Sequence, residues 1–288
     1  MIGQPDTDLL SVQQLLRETG EDWDRRAHRL SVLSGPAFSV ARHWHDRRPR
    51  DPDALVLRAW SQWTWLRRAA ADPSWSAGAS LIDVRGTLDL CTLAAGLRPY
   101  DPMPWVIRLG LLRLDGQPRS ALLPTWSEVR SRDPWNRAAC LEALGYLSPA
   151  EQGSLTDLLA FVDSMRAEMP SDAPAISLPL TAGVLLYHRR LGQVGLVSQL
   201  EASRYWSQPD AVRTLDRSLE ELLSPGFLGT AAALADLNLL AYALAKADRL
   251  QDAGRVFVKL DGIVTSWPWG RDGDPVEAFT QWQRRVFR

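Results

Sequence analysis

Two histidines one residue apart, His43 and His45, stand in the run Arg42-His43-Trp44-His45-Asp46-Arg47-Arg48-Pro49-Arg50. An His-x-His pair is a metal-ligand spacing, and guanidinium groups beside it suit phosphate, sulfate or carboxylate. No cysteine or further histidine follows at ligand spacing, so no metal is expected. What remains is an anion site on Arg42, His43, His45 and Arg47, or a solvated loop between two helical patterns. Asp46 and Asp51 within the run speak against nucleic acid.

Other side chains of chemical interest lie on patterns that read as helices. Trp60 and Trp63 share one face, with Trp65 pointing elsewhere, Trp44 shortly before and Trp75 shortly after. They form either core packing or an aromatic wall for a ligand, by offset stacking or a cation-π contact. Asp83 and Asp89 in the 78–97 pattern and Glu142 in the 134–147 pattern are candidates for acid-base catalysis. A neighbouring arginine such as Arg85 or Arg108 would instead make them ion pairs. The nucleophile elbow, the Walker loop, the dinucleotide glycine fingerprint and His-Glu-x-x-His are all absent, and no cofactor is expected.

Those residues must be positioned by a chain of 288 residues that is 45% hydrophobic, enough for a continuous core. A formal net charge of -1 provides no field that would draw in nucleic acid or an anionic membrane. Cys91 and Cys140 each sit in an apolar helical pattern, as core thiols of a reduced, cytoplasmic protein do. No stretch reads as an export signal or a membrane span. Apart from Lys246 and Lys259 every basic residue is arginine, a bias expected of a GC-rich bacterial genome. Thirteen tryptophans point to thick helix interfaces, an aromatic-lined cleft, or both.

Helix starts recur in one chemical form, Asp or Ser followed by Pro: Asp51-Pro52, Asp101-Pro102, Asp133-Pro134, Ser148-Pro149, Ser224-Pro225 and Asp274-Pro275. Ser148 with Glu151 and Asp274 with Glu277 extend this to a capping box. Apolar residues between these marks repeat every three or four positions, with no sustained period-two alternation. Helices are therefore expected at 7–19, 22–33, 52–71, 78–97, 102–115, 119–131, 134–147, 150–168, 175–191, 195–206, 209–223, 229–246, 249–265 and 274–287.

Asp101-Pro-Met-Pro-Trp105 and Asp133-Pro-Trp135 are nearly one repeat length apart, and Leu109-Gly110, Leu122, Trp126, Val129 and Pro134 fall between or at them. Near the C-terminus Leu237, Leu240, Ala241 and Leu244 are followed by Ala253, Phe257 and Leu260, with the stretch Ala247-Asp-Arg-Leu-Gln-Asp-Ala253 between. On these residues the chain resembles tetratricopeptide repeats, over about half its length. Asp133-Pro-Trp-Asn-Arg, Tyr146-Leu-Ser-Pro149 and Gly153-Ser154 also look like a group of actinobacterial proteins with such repeats. The resemblance implies an all-α solenoid of antiparallel helix pairs with capping helices at both ends. It divides the chain into N-terminal helices with the Arg/His-rich loop (1–50), a repeat domain (51–265), and a connector with capping helix (266–288).

Proteins of that kind bind peptides along the inner, first-helix face. In the 229–246 pattern Asn238, Tyr242 and Lys246 form a polar stripe there, and in the 102–115 pattern Ile107 and Leu111 form an apolar one, with Arg108 beside them. The leading expectation is a binding or scaffold protein recognising a peptide or partner protein. The alternative is an enzyme, or obligate enzyme subunit, of actinobacterial specialised metabolism, with a small-molecule ligand in a Trp-lined pocket.

Overall fold

The computed structural model describes residues 5–71, 77–193 and 202–288, with the backbone alone at 5–7 and 77–82. These residues are helical with turns between, and among them there is no strand. The chain divides into two compact units, 1–147 and 148–288. That division falls inside the stretch expected as one repeat domain.

The first unit holds α1 (Pro5–Thr19), α2 (Trp23–Leu33), α3 (Phe38–Arg47), α4 (Pro52–Ala70), α5 (Ala77–Leu97), α6 (Met103–Leu114), α7 (Arg119–Arg130) and α8 (Arg137–Tyr146). Asp51 starts α4 as its chemistry dictates, accepting from the Asp53 and Ala54 amides at 3.0 and 3.4 Å. Its second oxygen accepts from Trp44 Nε1 at 3.2 Å, which ties α3 to the start of α4. Asp101 caps α6 through the Met103 amide at 2.8 Å. Helices α2, α4, α6 and α8 each touch the next in that series, while α3, α5 and α7 pack against their chain neighbours.

Charge is buried where α2, α4 and the α5–α6 turn meet. Arg26, 1% exposed, lies 2.6 Å from Asp53 and 3.1 Å from Asp101, and Arg98 reaches Asp53 at 2.6 Å. Burial works against the Asp53 carboxylate, but Arg98 and Arg26 outweigh it and hold its pKa below the usual range. At Asp101 burial wins over the same two arginines, and the pKa is raised. Close packing also needs two glycines. A Cβ on Gly110 would lie 2.2 Å from the Trp63 ring, and one on Gly145 would lie 2.1 Å from the Arg113 guanidinium.

The second unit holds α9 (Leu155–Glu168), α10 (Leu178–Leu191), α11 (Pro209–Leu222), α12 (Ala233–Lys246), α13 (Leu250–Leu260) and α14 (Pro275–Val286), with 3-10 turns at Tyr205–Ser207, Phe227–Gly229 and Trp269–Arg271. Its core is α12, with eleven of fourteen residues buried. Against α12 pack α10, α11 and α13, and α14 leans on α13. Asn238, inside α12, organises the segment that follows α13. It donates to the carbonyls of Leu234 and Ile263 at 2.8 and 3.0 Å, and accepts from Trp269 Nε1 at 2.9 Å and the Thr265 amide at 3.4 Å.

Several local expectations need correction. The Arg/His-rich stretch is no loop but α3, whose buried Ala41 and Trp44 continue the spacing of buried Ala37. Helix α9 begins after Ser154, which accepts from the Asp157 amide at 3.1 Å, so Ser148 and Glu151 lie in the preceding turn. Ser224-Pro225 leads into a 3-10 turn, and α12 starts only at Ala233. Helix α13 stops at Leu260 because Asp261 and Gly262 take φ of 45° and 78°. The helix expected at 195–206 lies mostly outside the described residues.

Candidate functional site

Most residues singled out by type and spacing turn out to hold the fold together. Trp60 and Trp63 are buried, with ring centroids 5.2 Å apart at 75°, and Arg67 caps the Trp63 ring at 5.1 Å. They are packing residues and not an exposed aromatic wall, while Trp75 lies outside the described residues. Glu142 is buried, with one oxygen on Arg67 and the other on Arg113, each at 2.9 Å, so its carboxylate is committed to the ion pairs. Asp83 and Asp89 are exposed on α5, away from the desolvated surroundings a catalytic carboxylate needs.

Histidines 43 and 45 are two positions apart on a helix, so they diverge by about 200° and do not converge on one ion. Burial, then Arg58, lowers the His45 pKa against the pull of Asp46. Arg42 and Arg47 are exposed on α3, and nothing gathers these four side chains into an anion cradle. Among the described residues no group of three or more His, Cys, Asp or Glu is placed to hold a metal ion, and no helix is long and apolar enough to cross a membrane. Cys91 and Cys140 are free, buried thiols whose pKa burial pushes up to about 12.

The expected groove stripes are covered. Ile107 and Leu111 are buried in the first unit, and Arg108 lies over the Trp105 ring at 5.9 Å. Asn238 and Tyr242 are fully buried under the segment 261–272. Tyr242 donates to Asp272 Oδ1 at 3.2 Å and pairs with His188 Nε2 at 2.8 Å, while Lys246 holds Asp272 Oδ2 at 2.7 Å. With the tyrosine proton on Asp272, Nε2 of His188 carries the proton it donates. Burial, then Arg271, lowers the His188 pKa to about 4 against the opposing charge of Asp272. Burial, then Asp272, raises that of Tyr242. Neither group exchanges a proton near neutrality, so this chain of bonds clamps the C-terminal segment to α10 and α12. A cleft of about 390 Å³ beside it is lined by Lys246, Asp272, Asp274 and Arg285. Their charges are spent on Lys246–Asp272, Arg285–Asp248 and the capping of α14.

A different concavity remains. Helices α9 and α11 both pack on α10, and between them a groove of about 430 Å³ runs over α10. Its floor is Pro179, Ala182, Gly183 and Leu186, at i, i+3, i+4 and i+7 of α10. Leu159, Val162, Asp163 and Arg166 of α9 form one wall, and Asp210, Ala211, Arg213 and Thr214 of α11 the other. Tyr205 and Trp206 close it, their rings in an edge contact at 4.8 Å. A smaller adjoining pocket shares Val162, Arg166 and Pro179 and adds Arg217 and Glu221. The floor is therefore apolar, and the walls mix apolar side chains with charges of both signs. Spacing in the sequence did not single these residues out. The signal present was an arginine, Arg166, inside the apolar series Leu158, Val162, Met165 and Met169, above a small-residue face on α10.

Comparison of the chain with family models, curated proteins and solved structures finds no match.

Proposed function

We propose that the protein is a helical-repeat binding or scaffold protein that takes up an apolar segment of a partner protein in the groove over α10. The observation that carries this reading is the groove itself, a trough of about 430 Å³ with an apolar floor, between two helices that share α10. Helix-in-groove recognition needs just such a trough, with rims charged for register. The tetratricopeptide-like solenoid fits the same reading. In the first unit α2, α4, α6 and α8 form one contacting row, as first helices of stacked pairs do. In the second, the turn after Lys246 joins α12 to α13 where the family places its inter-helix turn. A reduced, cytoplasmic setting suits the two free thiols.

Photo-crosslinking tests the proposal. A benzophenone amino acid is placed at Thr214 on the groove rim, and in a second version at Asp89 on the exposed face of α5, and both are irradiated in the cells the protein comes from. A protein identified in the Thr214 adducts, absent from those of Asp89 and binding the purified chain on reconstitution, is the expected result. Equal labelling from the two positions contradicts the reading.

A further inference from the structure

Arg166 is chemically out of place. It is half-buried on α9, lines both the groove and the adjoining pocket, and has no ion-pair or hydrogen-bond partner among the described residues. The neighbouring guanidinium, Arg217, is already matched by Glu221 at 2.5 Å. On the far wall Asp210 and Arg213 pair with each other. Burial, then Arg217, lowers the Arg166 pKa, and Asp163 and Glu221 do not make up the difference. A half-desolvated cation without a counter-ion costs stability, and an incoming anion relieves that cost. Trp206, 4% exposed at the end of the groove, also carries a buried Nε1 donor with no acceptor among the described residues.

We propose that the groove binds an amphipathic helix of a partner protein, and that one acidic side chain on that helix pairs with Arg166. This rests on the groove being the binding site. A helix fits better than an extended segment because every lining element is helical or a closed turn and offers no row of free backbone groups. An extended chain there would bury unpaired N–H and C=O groups, whereas a helix satisfies its own. Floor residues spaced as a helix face, with Ala182 and Gly183 at the centre, let a second helix approach closely. Acidic partner chemistry follows from the rims, where Arg166 is a half-buried cation without an ion pair among the described residues, while Asp163, the other lining charge without one, is exposed to solvent.

A phage library of amphipathic helical peptides, selected against the whole protein, separates the two ideas. Parallel selections use Arg166→Gln and Leu186→Asp, the latter placing a charge on the groove floor at a half-buried position. Thermal melting of both variants confirms that they fold, and Arg166→Gln is expected to melt close to wild type because Arg166 makes no ion pair or hydrogen bond among the described residues. The expected result is a set of clones lost with Leu186→Asp and enriched in Asp or Glu at one position. A resynthesised peptide should then lose tenfold or more in affinity on Glu→Gln, lose the same with Arg166→Gln, and lose no more when both are changed. Groove-dependent clones without an acidic position, or full affinity for Arg166→Gln, overturn the pairing and leave the groove standing. Clones indifferent to Leu186→Asp overturn both.

Discussion

Replacing Asn238 by alanine removes a side chain whose two donors and one carbonyl oxygen are all engaged between α12 and the segment 261–272. Three bonds join different parts of the chain: to the Ile263 carbonyl at 3.0 Å, from Trp269 Nε1 at 2.9 Å and from the Thr265 amide at 3.4 Å. A neutral hydrogen bond contributes about 1 kcal/mol, and an orphaned buried group costs about 1–3 kcal/mol. The Leu234 carbonyl keeps its helical partner and adds little. Trp269 is wholly buried, so its indole N–H is the group that suffers most. The expected loss is about 3 kcal/mol. Urea unfolding of wild type and Asn238→Ala measures it, and amide hydrogen exchange should show protection falling first at 261–272. A loss under about 1 kcal/mol with unchanged exchange in that segment would mean that Asn238 does not hold it in place.

Three further outcomes follow from the packing and the charges. Gly110→Ala should cost about 2–3 kcal/mol, because the new methyl meets a locked Trp63 ring. Gly145→Ala should cost less, since the Arg113 it meets is a flexible side chain that swings away at the expense of one ion pair with Glu142. A denaturation series that reverses this order contradicts the account. Arg26→Met strips Asp101 and Asp53 of their buried partner and should cost about 3 kcal/mol, with part regained on adding Asp101→Asn; no loss in the single variant would show the network to be idle. For His188 the folded pKa of about 4 lies below the unfolded 6.5, so the unfolded chain takes up the proton first as pH falls. Its stabilising effect is whole above pH 6.5 and is lost between there and about 4, at up to about 1.4 kcal/mol per unit. His188→Gln should flatten that part of the stability profile, and parallel wild-type and variant curves would argue against a buried neutral imidazole.

Helices were legible wherever the local chemistry is self-contained. Asp51, Asp101 and Asp274 cap as their Asp-Pro spelling implies, and the amphipathic α14 falls where its apolar spacing puts it. Elements failed to be read where the decisive interaction is tertiary or the signal is thin. The inward stripe of α3 is one tryptophan and small alanines among charges, and its N-cap Ala37 makes no side-chain bond. Asp261-Gly262 is a stop signal, but the apolar spacing running on through Ile263 and Val264 masks it. The site suffered most. Asn238 and Tyr242 read as a solvent-facing stripe because nothing local shows that the Trp267-Pro268-Trp269 stretch folds back over them. Arg166 was not singled out at all, because its lack of an ion pair arises only when α9, α10 and α11 come together.

If the groove over α10 receives a helix, a bound peptide must perturb the residues that line it. Methyl NMR of the chain, titrated with the peptide most often recovered in the wild-type selection, tests it most directly. Shifts should concentrate at Leu159, Val162, Ala182 and Leu186, leaving Leu55, Leu109 and Leu144 of the first unit unmoved. Changes centred on those first-unit methyls, or on the Ala278 methyl beside Lys246 and Trp282 with the groove silent, would contradict it.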